Sequence, residues 1–230
     1  VQALILAGGI GKRLKPITDY VPKSLVPIYN IPIIEWQIRY FKKFGVTKFI
    51  ICAGYKNEQI INYLDTKKNF GTKIDYSIEK TPLGTGGAIR NANSLVEEND
   101  FFVINGDIIT NLDPRPLKSK PNTISVVPLK TAFGIVDVKS GQVRRFKEKP
   151  RIADYWMNAG VYYLSKKIIP HLPKKGNIEN TALPLFATKS QLFAVKYHNV
   201  FWHSIDSHKD IEECVNGMKA VHYEDFIFKK

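Results

Sequence analysis

Apolar and polar positions follow two different rhythms along this chain, and the change from one to the other divides it. Three short runs are apolar almost throughout, at residues 2–7, 48–53 and 101–105, and a fourth at 74–78 is interrupted by Asp75 and Ser77. Runs of this length predict strands buried on both faces, as in a parallel sheet covered by helices. Between them the spacing is helical. Ile34, Ile38 and Phe41 stand at i, i+4 and i+7 with Gly45 placed to stop the helix. Ile60, Ile61 and Leu64 mark a second helix, and residues 87–96 a third. From Thr123 short strands dominate, at 123–128, 134–138, 142–147 and 156–164, which predicts an antiparallel excursion on the sheet's edge. Helical spacing returns at 178–187 and 209–218, and the closing Tyr223–Phe228 run is too apolar for a free tail. That run is expected to pack on the domain or on a neighbouring subunit. The β-α-β order predicts an α/β fold: three αβα layers around a mostly parallel, Rossmann-like mixed sheet, with the small antiparallel excursion. A single domain over 1–230 is expected, divided at 1–122, 123–206 and 207–230.

Composition narrows the class. With 44% hydrophobic and 24% charged residues, 230 positions suffice for one substantial core. No apolar stretch approaches the roughly 20 residues of a membrane span, so no membrane partner is expected. No charged segment followed by an apolar core opens the sequence, which predicts a cytoplasmic address. Cys52 and Cys214 lie in apolar and helical runs without a Cys-x-x-Cys pair, and read as buried thiols. His203 and His208 flank Asp206 at an interval that does not suit one helix face as a metal site. Lys and Arg number 34 against 21 Asp and Glu, a net charge of +13 that favours anionic ligands. The bases are spread, with runs no longer than Lys42-Lys43, so specific nucleic-acid binding is not expected.

The chemistry begins where the first strand ends. Gly8-Gly9-Ile10-Gly11-Lys12-Arg13-Leu14-Lys15-Pro16 places glycines and then bases directly after an apolar strand. Glycines let main-chain N–H groups approach an anion, and Lys12, Arg13 and Lys15 add positive charge. The spacing is neither a P-loop nor a dinucleotide fingerprint, because Leu14 stands where a third glycine would be needed. Pro22-Lys23 comes next, read either as a surface lysine or as a second phosphate contact. Pro82–Ala88 holds three glycines ahead of a helix, either simple turn chemistry or a backbone wall around a ligand. Asn105-Gly106-Asp107 ends a buried strand with a carboxylate at the sheet edge where α/β proteins bind ligands. Asp206 ends another strand-like stretch and is the best candidate for a second carboxylate.

Together these segments resemble the signature of sugar-1-phosphate nucleotidylyltransferases. The loop at 6–18, Pro22-Lys23, Pro82–Ala88, Asn105–Asp107, Phe133–Val136, Lys147–Pro150 and Met157–Tyr162 occur in the family's order over nearly the whole chain. The resemblance implies an enzyme that transfers a nucleotidyl group from a nucleoside triphosphate to a sugar 1-phosphate, releasing pyrophosphate. It implies that Gly8 and Gly9 contact base and ribose, and that Gly11, Arg13 and Lys23 hold the triphosphate. Gly84 would lie near the base. Asp107 and Asp206 would ligate Mg2+, while Gly134, Glu148 and Asn158 would hold the sugar and Lys149 would neutralise the reacting phosphates. Residues 1–122 become the nucleotide-binding half and 123–206 the sugar-binding half, followed by a C-terminal helix and tail. Two positions depart from the pattern: Lys12 stands where the family usually has Thr, and Asp206 lies four residues after Trp202 rather than two. The longer spacing is similar to that of cytidylyltransferases acting on glucose 1-phosphate. The run 77–88 resembles guanylyltransferases for mannose or heptose 1-phosphates, so GTP with mannose 1-phosphate is the expected pair. Glucose 1-phosphate with dTTP or UTP is the alternative. From another class comes a catalytically silent regulatory subunit that binds nucleotide sugar. A homo-oligomer is left open.

Overall fold

The structure is a computed structural model that describes residues 1–131, 133–148 and 150–229, without the side chains of Arg151, Ala153 and Asp154. The first half runs β1 (Gln2–Ala7), α1 (Ile17–Tyr20), the ribbon β2 (Pro27–Ile28) and β3 (Ile31–Pro32), α2 (Ile33–Lys43) and β4 (Lys48–Ala53). It continues with α3 (Asn57–Thr66), β5 (Lys73–Ile78), α4 (Gly84–Asn91), β6 (Asp100–Asn105) and β7 (Ile108–Thr110). The second half holds β8 (Thr123–Lys130), β9 (Ile135–Lys139), β10 (Gln142–Lys147), β11 (Arg151–Ser165), α5 (Ala182–Thr188), β12 (Phe193–Lys196) and β13 (Trp202–Ser204). It closes with α6 (His208–Ala220) and α7 (Tyr223–Phe228).

Seven strands form one sheet in the order β12-β8-β11-β6-β1-β4-β5. Strands β6, β1, β4 and β5 are mutually parallel, β11 runs antiparallel between β6 and β8, and β12 is parallel to β8. The apolar runs are explained by cover on both sides. Ala3, Ile5, Phe49 and Ile51 point into a core shared with α2, α3, α6 and α7. Leu4, Ile50, Cys52, Phe101 and Val103 point into a second core shared with α4 and α5. These are the three expected layers.

The excursion differs in extent from the sequence expectation. The stretches 123–128 and 156–164 enter the main sheet as β8 and β11, because Val127 and Val161 fill one core and Tyr162 and Leu164 the other. What stands off is the antiparallel hairpin of β9 and β10. The closing apolar run packs on its own domain. Tyr223 is 1% exposed, meets Trp36 edge to face at 5.5 Å, and its hydroxyl donates to the Thr110 carbonyl at 2.9 Å. Both cysteines are free and buried. No helix among the described residues is long and apolar enough to cross a membrane.

A three-residue ladder fixes the geometry at the sheet's carboxyl edge. β7 pairs antiparallel with β13, matching Ile108 to Ser204 and Thr110 to Trp202. Just beyond it the Ile205 N–H donates to the Asp107 carbonyl at 2.9 Å. Two segments far apart in sequence are thereby held side by side at that edge.

Candidate active site

The chain leaves β1 and β6 at adjacent points, and the space between is a cavity of about 280 Å³. Its walls include Gly8, Gly9, Lys23, Glu79, Gly84 and Asp107. Close approach of backbones makes the cavity. A Cβ on Gly106 would lie 2.1 Å from the Leu6 carbonyl oxygen, so only glycine lets the turn after β6 press against the end of β1. A Cβ on Gly8 would lie 2.6 Å from Glu79 Oε1, so the loop also closes directly on that carboxylate. Gly11 adopts φ 69° and backs onto the Lys23 side chain, with Thr18 Oγ1 donating to its carbonyl at 2.9 Å.

Charge is concentrated around one ammonium. Lys23 Nζ, 13% exposed, donates to Asp107 Oδ2 and to Asp206 Oδ1, each at 2.8 Å. Arg13 Nη2 reaches the same Asp206 oxygen at 2.8 Å from a position largely in solvent. Burial pushes the Asp206 carboxyl up, but the hydrogen bond and charge of Lys23, with the charge of Arg13, outweigh it. The group is held below the usual carboxylate range. The two carboxylates therefore converge on a single cation, and their hard oxygen donors suit Mg2+ as well as an ammonium. Among the described residues no cluster of three or more His, Cys, Asp or Glu accompanies them. The carboxylate pair itself is a donor set that Mg2+ accepts, since that ion commonly takes one or two carboxylates and completes its shell with water and phosphate oxygens.

The remaining candidates fall into separate places. Asn158 lies off the cavity, on the strand that carries Tyr162. Its Nδ2 donates to the Tyr162 hydroxyl at 2.8 Å, and that hydroxyl donates to Glu179 Oε1 at 3.3 Å. Gly134 and Glu148 meet at the foot of the hairpin, where a Cβ on Gly134 would lie 3.0 Å from Glu148 Oε2. Neither lines the cavity. Lys149 lies outside the described residues. The glycine turn at 84–87 is more committed than its sequence suggested. The N–H groups of Gly86 and Gly87 donate to the Gly176 carbonyl, and that of Thr85 to Asn177 Oδ1. Only Gly84 of the three glycines lines the cavity.

Three lining residues stand in stretches noted from sequence without a role of their own: Ser24 after Lys23, Asn105 before Asp107, and Glu79 in the 76–81 segment expected to face the base. Ser24 Oγ and Asn105 Oδ1, on residues that line the cavity, are buried without a hydrogen-bond partner among the described residues. Glu79 is 8% exposed, and Oε2 accepts the Leu83 N–H at 3.0 Å. Burial pushes its carboxyl up, partly offset by that hydrogen bond. Nothing in the spacing of Tyr76–Thr81 distinguishes Glu79 from Lys80; only the end of β5 beside β4 turns one of them inward.

Fold and site together define a class: an α/β domain with a glycine-walled cleft at its sheet edge and an Asp–Lys–Asp cluster beside it. Residues 2–216 match the family described as nucleotidyl transferase, and the chain belongs to that family. It is 35% identical over 225 residues to the mannose-1-phosphate guanyltransferase beta-B of Xenopus laevis, covering 91% of this chain and 62% of that protein. The D-glycero-alpha-D-manno-heptose 1-phosphate guanylyltransferase of Campylobacter jejuni is 40% identical over 175 residues, covering 73% of this chain and 77% of its own. Among solved structures, HddC from Yersinia pseudotuberculosis superposes with a TM-score of 0.75 at 32% identity, over 94% of this chain and 98% of that one. The chain thus spans less than two thirds of the length of the Xenopus protein.

Proposed function

We propose that this chain transfers a nucleotidyl group from a nucleoside triphosphate to a sugar 1-phosphate, with Mg2+ as cofactor, and that its substrates are GTP and mannose 1-phosphate. The observation that carries the reading is the pair Asp107 and Asp206 clamped on Lys23 beside a glycine-walled cavity. Two polyanions must meet there. Bound Mg2+ would neutralise phosphate oxygens and stabilise charge at the reacting phosphorus. Asp107 and Asp206 would hold the ion, and Lys23, freed from them, would turn to the phosphates. Arg13, in reach of the same carboxylate, would bind the departing pyrophosphate. A sugar-phosphate oxygen forms its bond to the α-phosphorus as the bond to the β-phosphate bridge breaks, and pyrophosphate leaves with that electron pair. The nucleophile is already anionic at neutral pH, so no side chain need take a proton. Gly134, Glu148, Lys149 and Asn158 would hold the sugar side.

Glu79 supports guanine. An ionised carboxylate only accepts hydrogen bonds. Guanine alone among the common bases presents two adjacent donors, N1–H and the 2-amino group, on its pairing edge. Uracil and thymine present one donor between two acceptors. The relatives' names point the same way, since both couple a guanylyl group to a manno-configured sugar 1-phosphate.

Pyrophosphate release tests the reading across GTP, UTP, dTTP, CTP and ATP, each with mannose, glucose and N-acetylglucosamine 1-phosphates, with Mg2+ and with a chelator. A Mg2+-dependent signal confined to GTP with mannose 1-phosphate is expected. Turnover of glucose 1-phosphate with dTTP or UTP would replace the substrates and keep the reaction. Tight nucleotide binding without turnover in any combination would favour the silent subunit.

A further inference from the structure

Asn158 lies off the cavity, yet the hydrogen-bond chain that begins on it ends in the cavity wall. At one end the Gly160 N–H donates to Asn158 Oδ1 at 3.0 Å, which fixes the way the amide faces. Asn158 Nδ2 then donates to the Tyr162 hydroxyl at 2.8 Å, and that hydroxyl to Glu179 Oε1 at 3.3 Å. At the other end the Ile178 N–H donates to Thr85 Oγ1 at 3.0 Å, and Thr85 Oγ1 donates to Glu179 Oε2 at 2.5 Å. Thr85 lines the cavity beside Gly84. Both arms start on a backbone N–H, which can only donate, and both run toward Glu179. A carboxylate only accepts, so it can end both. Tyr162 is fully buried, and burial together with the Glu179 charge pushes its hydroxyl up, so the proton it donates is retained.

The far end of the longer arm is open. Asn158 is exposed, and after its two bonds the amide keeps one N–H and one lone pair without a partner among the described residues. A sugar hydroxyl, which donates and accepts at once, matches that pair. The shorter arm holds Thr85 in the turn whose Gly86 and Gly87 N–H groups are already tied to the Gly176 carbonyl, on the same segment as Glu179. Taking the two ligands from the proposed reaction, we propose that Glu179 is a positioning residue for both substrates. One oxygen steadies Thr85 in the nucleotide wall; the other, through Tyr162, holds the Asn158 amide toward a sugar hydroxyl. A neutral amide at 179 offers one oxygen, so it can end one arm and must turn its NH2 toward the other.

Titration calorimetry reads the two arms separately, with mannose 1-phosphate and the non-reacting α,β-methylene analogue of GTP as probes. Tyr162→Phe cuts the longer arm alone. It should weaken mannose 1-phosphate about fivefold to tenfold and leave the analogue within about twofold. Because Tyr162 acts through Asn158, the double variant Tyr162→Phe, Asn158→Ala should bind no more weakly than Asn158→Ala alone. Thr85→Val should weaken the analogue by a similar factor, and Thr85→Ser should restore it. Glu179→Gln should weaken one probe or the other, and Glu179→Ala both. Unchanged mannose 1-phosphate affinity in Tyr162→Phe overturns the proposal, as does an additive double variant or an equal loss of both probes in Tyr162→Phe. A melting curve accompanies each variant, and the Thr85 pair decides the point if Tyr162→Phe does not fold: equal analogue affinity in Val and Ser overturns it. A wild type that binds the analogue but neither mannose nor glucose 1-phosphate also overturns it. None of these titrations needs turnover. A wild type that binds both probes yet releases no pyrophosphate overturns the proposed reaction, while the same ratios still support or overturn the role of Glu179.

Discussion

Replacing Glu79 with Gln separates what this residue does for the nucleotide from what it does to the fold. The change is nearly isosteric, and its single side-chain oxygen will stay on the Leu83 N–H that Oε2 now accepts at 3.0 Å. The amide NH2 then faces the cavity in place of Oε1. Guanine's two donors lose a charged acceptor and meet a donor instead. Hydrogen bonds to charged groups contribute about 1.5–3 kcal/mol each, so two of them amount to roughly 3–6 kcal/mol, or about 10²–10⁴ in kcat/KM for GTP. Stability moves the other way. Burial raises the Glu79 carboxyl above its ordinary value of 4.5, so the folded state binds its proton more tightly than the unfolded chain does. Wild-type stability accordingly declines as pH rises past 4.5 through the raised folded value, and the penalty is complete above it. The neutral amide carries no such penalty. The assay is a pair of measurements on the same two proteins: kcat/KM with GTP and UTP, and melting temperature from pH 4 to 8. Activity of the Glu79→Gln variant within about threefold of wild type on GTP, far short of the expected loss, would refute the guanine contact. Parallel melting curves across pH would refute the desolvated carboxylate.

Three further outcomes are expected from the same geometry. Lys23→Met leaves Asp107 and Asp206 facing each other without their shared cation, so the melting temperature should fall by the equivalent of about 2 kcal/mol and turnover by several orders of magnitude. Added Mg2+ should stabilise this variant more than the wild type, a thermal-shift difference whose absence would place the metal elsewhere. Asp107→Asn should abolish Mg2+-dependent pyrophosphate release, and undiminished turnover would remove Asp107 from the metal site. Tyr223→Ala should cost about 3–5 kcal/mol in denaturant unfolding, as buried aromatic truncations do, whereas Tyr223→Phe loses only the bond to Thr110 and about 1 kcal/mol.

Most of the parallel half was legible because β1, β4 and β6 are covered on both faces and carry no alternation to misread, whereas β5, at the sheet's edge, alternates and is only half-buried. Helices α2, α3 and α4 were legible from spacing but the four-residue α1 was not; Gly8 and Asp107 were legible from residue type at a strand end, and Lys23 only as one of two readings of Pro22-Lys23. β11 was foreseen only in part, since its fifteen residues begin on the exposed side and cross into the core. β7 and β13 have three residues each, too few for any period, yet they bring Asp206 to Asp107. The 76–81 segment was expected to face the base, but Glu79 could not be told from Lys80 because its direction depends on where β5 ends against β4. The distance of Gly134 and Glu148 from the cavity depends on the hairpin's attitude to the body, which no local pattern encodes.

The ladder of β7 on β13 has a consequence for how such a chain diversifies. Residues 111–201 depart from Thr110 and return to Trp202, its own ladder partner. The doorway is therefore closed by backbone bonds, and Asp107 and Asp206 stand just outside it. Lengthening a turn within that stretch alters neither threshold, and doubling a flexible loop costs only about 0.6 kcal/mol in closure entropy. Because β8 and β11 within that stretch fill both cores, it is the turns between its strands, such as that joining β9 to β10, that can vary while Asp107, Lys23 and Asp206 keep their positions.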